Sequence, residues 1–260
     1  MQNKFFIISI VFLYISIFDL TPINAKTQKY LNIVFIGNSI TYGAGLNDRL
    51  HEAPPTHVAM YLGKQPGIGN VKYSNQGVSG CTTVDYLPST KTLFSNAIKA
   101  ADQFYEEDWS TLVFSIMLGT NDSAIKGTHG CPVSAKQYFN NMSQIINELL
   151  KRYPKCKIIL HRPIWYSPNT HNGAMYLKEG LKRLKSYYPQ IKKLVKSYNV
   201  TYPDQVYLGD TEGFDFFKGN YDKLQHEKGN SGIFFLHPNK KGAKDLGELW
   251  GKAIYKSVIL

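Results

Sequence analysis

Five short strand-like segments recur along this chain, most of them apolar and rich in branched residues, with stretches of helical periodicity between them. The runs are residues 31–36 (LNIVFI), 71–74, 111–117 (TLVFSIM), 156–161 (CKIILH) and, shortest, 206–208 (VYL). Short apolar runs without regular polar alternation are the pattern of strands covered on both faces. Helical spacing fills residues 57–62, 92–101, 134–152, 176–187, 191–198 and 239–258. In the third of these, Tyr138, Met142, Ile145, Ile146 and Leu149 share one face, Ser134 can cap the start and Pro154 stops the end. Pro189 predicts a break between the two basic helices that flank it. Strand alternating with helix argues an α/β fold: a parallel sheet of about five strands in a three-layer α/β/α arrangement.

Sites in such sheets sit at the carboxyl ends of the strands. Ser39, Gly77 and Asn121 each lie just after a predicted strand, so three loops distant in sequence converge on one edge. Ser39, in Gly37-Asn38-Ser39-Ile40-Thr41, follows a glycine and opens a helix, which points its amide into the site; the alternative is a serine that only caps that helix. Gly77 lacks a side chain, so its N–H can approach a ligand closely, although turn glycines are common. Asn121, in Gly119-Thr120-Asn121-Asp122, carries an amide that can donate to an oxyanion or form an Asx turn. His237 precedes Pro238, on a loop before the last helix, a setting that His51, His57, His129, His161, His171 and His226 lack. Together these residues supply a nucleophile, three oxyanion donors and a general base, the set needed for acyl transfer from an ester.

With its four blocks in this order, the chain resembles the SGNH/GDSL hydrolase family from about residue 31 to the carboxyl terminus. The resemblance implies a flavodoxin-like SGNH fold as a single domain over residues 26–260. It implies Ser39 as nucleophile, His237 as base, and an oxyanion hole built from the Ser39 N–H, the Gly77 N–H and the Asn121 amide. No cofactor or metal is needed by that mechanism. Two positions depart from the family pattern. Asn38 stands where aspartate is frequent, and Phe234 stands three residues before His237, where the family places an aspartate to orient the ring. A backbone carbonyl is the preferred orienter here, with Glu227 and Asp222 as the carboxylates nearby in sequence. The resembled enzymes include carbohydrate O-acetylesterases and lysophospholipase/thioesterase-type acyl hydrolases; a non-catalytic glycan-binding relative and an acetyltransferase using the same acyl-enzyme are the other readings.

Residues 1–25 read as a signal peptide: Lys4, an uncharged apolar run over residues 5–18, and Ala25 at the cleavage position. No cysteine follows that run to take a lipid, so a secreted or periplasmic protein is expected, without stable membrane insertion after cleavage. Export makes extracellular glycan a fitting ester substrate, and the 18 tyrosines offer faces that stack on sugar rings. No long apolar lid segment is visible for a lipid chain. The formal charge of +11 is concentrated between Lys178 and Lys196, read either as attraction to acidic glycans, anionic surfaces or nucleic acid, or as a solvated helix face. Export argues against nucleic acid. Oligomeric state is not legible. Of the three cysteines, Cys81 and Cys131 are expected on loops at the same edge and to form a disulfide, leaving Cys156 as a core thiol. Arg162, directly after the fourth strand, is the candidate to hold a substrate carboxylate such as that of sialic acid; the alternative is an ion pair with Asp122 or Asp210.

Overall fold

The first strand, β1 (Lys29–Gly37), is buried from Leu31 onward and sits at the middle of the molecule. It pairs in parallel with β2 (Ile68–Gly77) on one side and β3 (Ser110–Met117) on the other. β4 (Lys157–Leu160) and β5 (Val206–Leu208) extend the sheet, all parallel, in the order β2-β1-β3-β4-β5. The computed structural model describes residues 28–259 except 106 and 108. The expected signal peptide therefore lies outside the described residues.

The order 2-1-3-4-5 reverses direction between β1 and β3, the place where doubly wound sheets hold ligands. Register makes that edge level: Gly37 is opposite both Gly77 and Met117, and Leu160 is opposite both Ile116 and Leu208.

Short helices α1 (Ser39–Tyr42) and α2 (Arg49–Glu52) precede α3 (Pro54–Leu62); α4 (Leu93–Tyr105), α5 (Ala135–Arg152), α6 (Leu177–Thr201), α7 (Gly213–Gly219) and α8 (Lys240–Ile259) follow. Right-handed crossovers put α3 and α8 on one face and α4, α5 and α6 on the other. Side chains agree with that division. Phe35 stacks on Trp250 of α8, 6.3 Å between ring centres, while Phe114 on the opposite face meets Tyr153 at the end of α5. Helix α3 approaches α8 closely because Gly247 and Gly251 leave room there: a Cβ on Gly247 would lie 2.7 Å from the Pro54 carbonyl.

Pro189 does not break the basic region. One helix runs from Leu177 to Thr201 through it, a correction to the expected pair. Pro189 lies on the exposed face, so the Lys185 carbonyl it frees can bond water, and the buried stripe of Leu184, Tyr187, Ile191 and Leu194 continues past it. The sequence reading also missed an antiparallel hairpin, β6 (Glu227–Gly229) and β7 (Gly232–Phe234), which turns over two residues and stands apart from the main sheet.

Candidate active site

The ends of β1 and β2 place the nucleophile. A Cβ on Gly37 would overlap Thr41, and one on Gly77 would lie 2.4 Å from the Tyr42 backbone nitrogen. Glycine at both positions lets α1 lie directly on the two strand ends, with Ser39 as its first residue. Asn38 caps this short helix by accepting the Ile40 N–H at 3.0 Å, so asparagine performs the capping that aspartate could. Ser39 is 8% exposed.

His237 lies between β7 and α8. Its Nε2 is 2.8 Å from Ser39 Oγ, and its Nδ1 is 2.8 and 3.0 Å from the two carboxylate oxygens of Glu227. The His237 backbone N–H also donates to Glu227, at 3.1 Å. A proton on Nδ1 serves Glu227 and leaves Nε2 to accept from Ser39. Asn239 accepts the Gly242 N–H at the start of α8, and Gln225 bonds both the Pro238 and the Ala44 carbonyls. Gln225 therefore ties the histidine loop to the loop that leaves α1.

The three expected oxyanion donors differ in state. Among the described residues no acceptor takes the Ser39 N–H. The Gly77 N–H is engaged by Asn75 Oδ1 at 3.0 Å, so it can serve an oxyanion only by sharing or leaving that bond. Asn121 is 3% exposed and held from both ends of its amide: Tyr176 donates its hydroxyl to Oδ1 at 2.6 Å, and one Nδ2 proton goes to the Cys81 carbonyl at 2.8 Å. A flipped amide would set Oδ1 against that carbonyl. The amide orientation is thereby decided, and its second proton stays uncommitted. Tyr176 was absent from the sequence reading, since nothing local marks a tyrosine at the start of a helix as a partner of residue 121.

The neighbouring Asp122 is fully buried. It accepts from the Thr83 hydroxyl and from the Thr83 N–H at 3.0 Å, and burial pushes its pKa up to about 6. The asparagine loop is anchored to residues 82–83 in this way. Among the described residues, no group of three His, Cys, Asp or Glu side chains gathers as a metal site. A groove of about 860 Å³ runs along β5 and contains none of Ser39, Gly77, Asn121 or His237.

The sequence model of the GDSL-like Lipase/Acylhydrolase family matches residues 35–244. The chain belongs to this family. By that membership it is a carboxylic-ester hydrolase. No curated protein sequence matches the chain. Solved structures with the same fold include Est24, a carbohydrate acetylesterase from Sinorhizobium meliloti (16% identity, 86% of this chain and 98% of that one, TM-score 0.57). Others are the native aryl esterase of M. smegmatis (16%, 87% and 99%, TM-score 0.59) and a catalytic mutant of Axe2, an acetylxylan esterase from Geobacillus stearothermophilus (17%, 90% and 97%, TM-score 0.58). At these identities the likeness is one of fold.

Within this GDSL-like frame, three expectations need correction. The ring of His237 is not left to a backbone carbonyl, because Glu227 holds it. Strands β6 and β7 pair Glu227 with Phe234, so the carboxylate comes from across the hairpin to where the family pattern brings one along the chain. Phe234 itself is buried. Arg162 offers no open cation. Its Nη1 is 3.0 Å from Asp215 Oδ2, a partner neither expected alternative named, and its guanidinium lies 4.0 Å over the Phe214 ring and 4.7 Å over Tyr188. Finally, Cys81, Cys131 and Cys156 are all free thiols. The Cys81 thiol turns inward to donate to the Gly37 carbonyl at 3.3 Å, and it does not reach for Cys131.

Proposed function

We propose that this protein is a serine esterase that removes short acyl groups, chiefly acetyl, from carbohydrate hydroxyls. The observation that carries the reading is the continuous chain Ser39 Oγ–His237 Nε2 and His237 Nδ1–Glu227, with distances of 2.8 Å at both links. His237 takes the Ser39 proton as Oγ attacks the ester carbonyl, and Glu227 steadies the resulting imidazolium. The Ser39 N–H and the free proton of the Asn121 amide face the developing oxyanion. Collapse expels the alcohol, which receives its proton from His237, and leaves an acyl group on Ser39. Water, deprotonated by the same histidine, repeats the sequence and releases the acid.

The short acyl preference is supported by what borders the nucleophile. Asn121 and its partner Tyr176, and Cys81 and Tyr86, which both bond the Gly37 carbonyl two residues before Ser39, are buried groups that leave no long apolar channel among them. Of the exposed large apolar residues, Tyr42 and Val78 flank Ser39 and Gly77 and are only about one-third exposed (37% and 36%), while the more exposed Met60, Trp109 and Val200 lie on other elements. Carbohydrate is favoured by the apolar run near residue 5, which supports export toward extracellular glycan. Sialic acid loses the support it had from Arg162. The test is a series of p-nitrophenyl esters from C2 to C12, run beside acetate release from acetylated glycans with and without added sugar acceptor. Activity rising with chain length toward C12 would overturn the reading in favour of a lipid acyl hydrolase, and net acetyl transfer to the acceptor would make the protein a transferase.

A further inference from the structure

Helix α6 carries six lysines, one arginine and one glutamate in a chain whose formal net charge is +11. Lys178, Lys182, Lys185, Lys192 and Lys196 recur at steps of three, four or seven residues, so at 100° per residue they form one line along the helix. Lys193 flanks that line. All six are exposed, while Leu184, Tyr187, Ile191 and Leu194 bury the opposite side. The line is about 27 Å long.

Among the described residues none of the six makes a salt bridge, and the single acid of the helix, Glu179, is taken by Arg183 at 2.6 Å. Like charges three and four residues apart on a helix repel, and alternating glutamates would have removed that cost. The track also has a direction. Helix α6 begins one residue after Tyr176, whose hydroxyl holds the Asn121 amide, so Lys178 lies at the catalytic edge and Lys196 at the far edge of the sheet. Exposed Lys126, bridged to Met175, adds a cation at the catalytic end.

We propose that this face of α6 is the docking surface for a linear, carboxylate-bearing polysaccharide, which it guides toward Ser39. Lysine ammonium groups are hydrated point charges on flexible stems, which suits a row of separate, spaced carboxylates. Along the line no large aromatic side chain is exposed for bases to stack on, and its one exposed apolar residue, Val200 one turn past Lys196, is a single small side chain, less than a face that enters a bilayer requires. The identity of the polymer as substrate rests on the esterase reading above; its binding does not.

The experiment titrates the full chain with de-esterified polygalacturonate at 50 and 300 mM salt. It compares wild type with K182E/K185E/K192E and with K182Q/K185Q/K192Q, each checked by melting temperature. Binding is expected to weaken at least about tenfold at the higher salt and at least about tenfold in each triple variant, more in the glutamate one. K182R/K185R/K192R should bind like wild type. Unchanged binding in the folded glutamine variant overturns the proposal. So does tighter binding of duplex DNA or of phosphatidylserine vesicles than of the polyuronate. A second arm measures acetate release by wild type from acetylated polygalacturonate and from triacetin. Binding without any acetate release would sink the esterase reading alone, and hydrolysis of triacetin without polymer binding would sink the docking surface alone.

Discussion

At the scale of residues, the site is decided by a few polar contacts whose loss can be read in rates. Ser39→Ala and His237→Ala should each lower turnover of p-nitrophenyl acetate by at least about 10³, and the double variant little further, because the pair acts as a unit. Near-full activity in Ser39→Ala would end the mechanism. Tyr176 tests a finer point. The Tyr176→Phe variant keeps the ring packed on Tyr166, 5.3 Å between centres, but leaves the buried Asn121 Oδ1 without a donor. One lost orienting hydrogen bond is worth about 1 kcal/mol, so kcat should drop about fivefold with KM nearly unchanged. A rise in KM at constant kcat would instead make Tyr176 a ground-state substrate contact. Arg162 belongs with structure at this scale. Its stacking between Phe214 and Tyr188 explains why position alone, directly after a strand, misread it as a ligand for substrate.

At the scale of elements, the hairpin of β6 and β7 carries the acid, and its rung joins Glu227 to Phe234. Glu227→Ala should cost at least about 10² in kcat. Adding Phe234→Asp to that variant should recover part of the loss, since the new carboxylate would lie three residues before His237, as the family pattern has it. Phe234→Asp alone should bring no gain. Equal activity of the single and double alanine-background variants would show that the two positions cannot substitute for each other. The same element shows where the sequence stops being readable. The inner strands announce themselves by runs of branched apolar residues, while the polar edge strand β2 shows itself less by its own pattern than by Gly77 at its end. β6 is Glu-Lys-Gly, with no apolar period, and its pairing with β7 is visible only once the turn at Asn230 and Ser231 has closed. Hence Glu227 could be named as a nearby carboxylate but not chosen. Helix α6 shows the converse failure: the proline rule predicts a break, but long-range burial of Tyr187 and Ile191 on either side of Pro189 outweighs the local cost. The Cys81–Cys131 pairing failed because loop proximity says nothing about which way a thiol points.

At the scale of the whole molecule, buried titratable groups set how stability answers to pH. His161 is buried between Ser115 Oγ and the Asp210 N–H, stacked on Trp250, and burial lowers its pKa to about 3. Its contribution is therefore full above about pH 6.5 and is lost as pH falls toward 3. Asp122 and Asp210 act in the opposite sense. Burial raises each to about 6, so what they contribute is present below pH 3.8 and is lost as pH rises through 6. Asp122→Asn mimics the protonated form. Urea unfolding should find it close to wild type at pH 4 and more stable than wild type at pH 7, by about 2–3 kcal/mol at most. Parallel stability curves for the two proteins would refute the assignment. Temperature should act unevenly on the same molecule. The nucleophile is welded to the central sheet, but the carboxylate that steadies the base rides on two three-residue strands. These are pinned by Ser167 to Phe235 and by the Asn169 side chain to the Ser231 and Ile233 carbonyls, with Ile233 itself more than half exposed. So small a unit can open alone at a fraction of the global unfolding energy. Catalysis should then fade reversibly several degrees below the cooperative melt, and amide exchange at residues 227–234 should run ahead of exchange in β1.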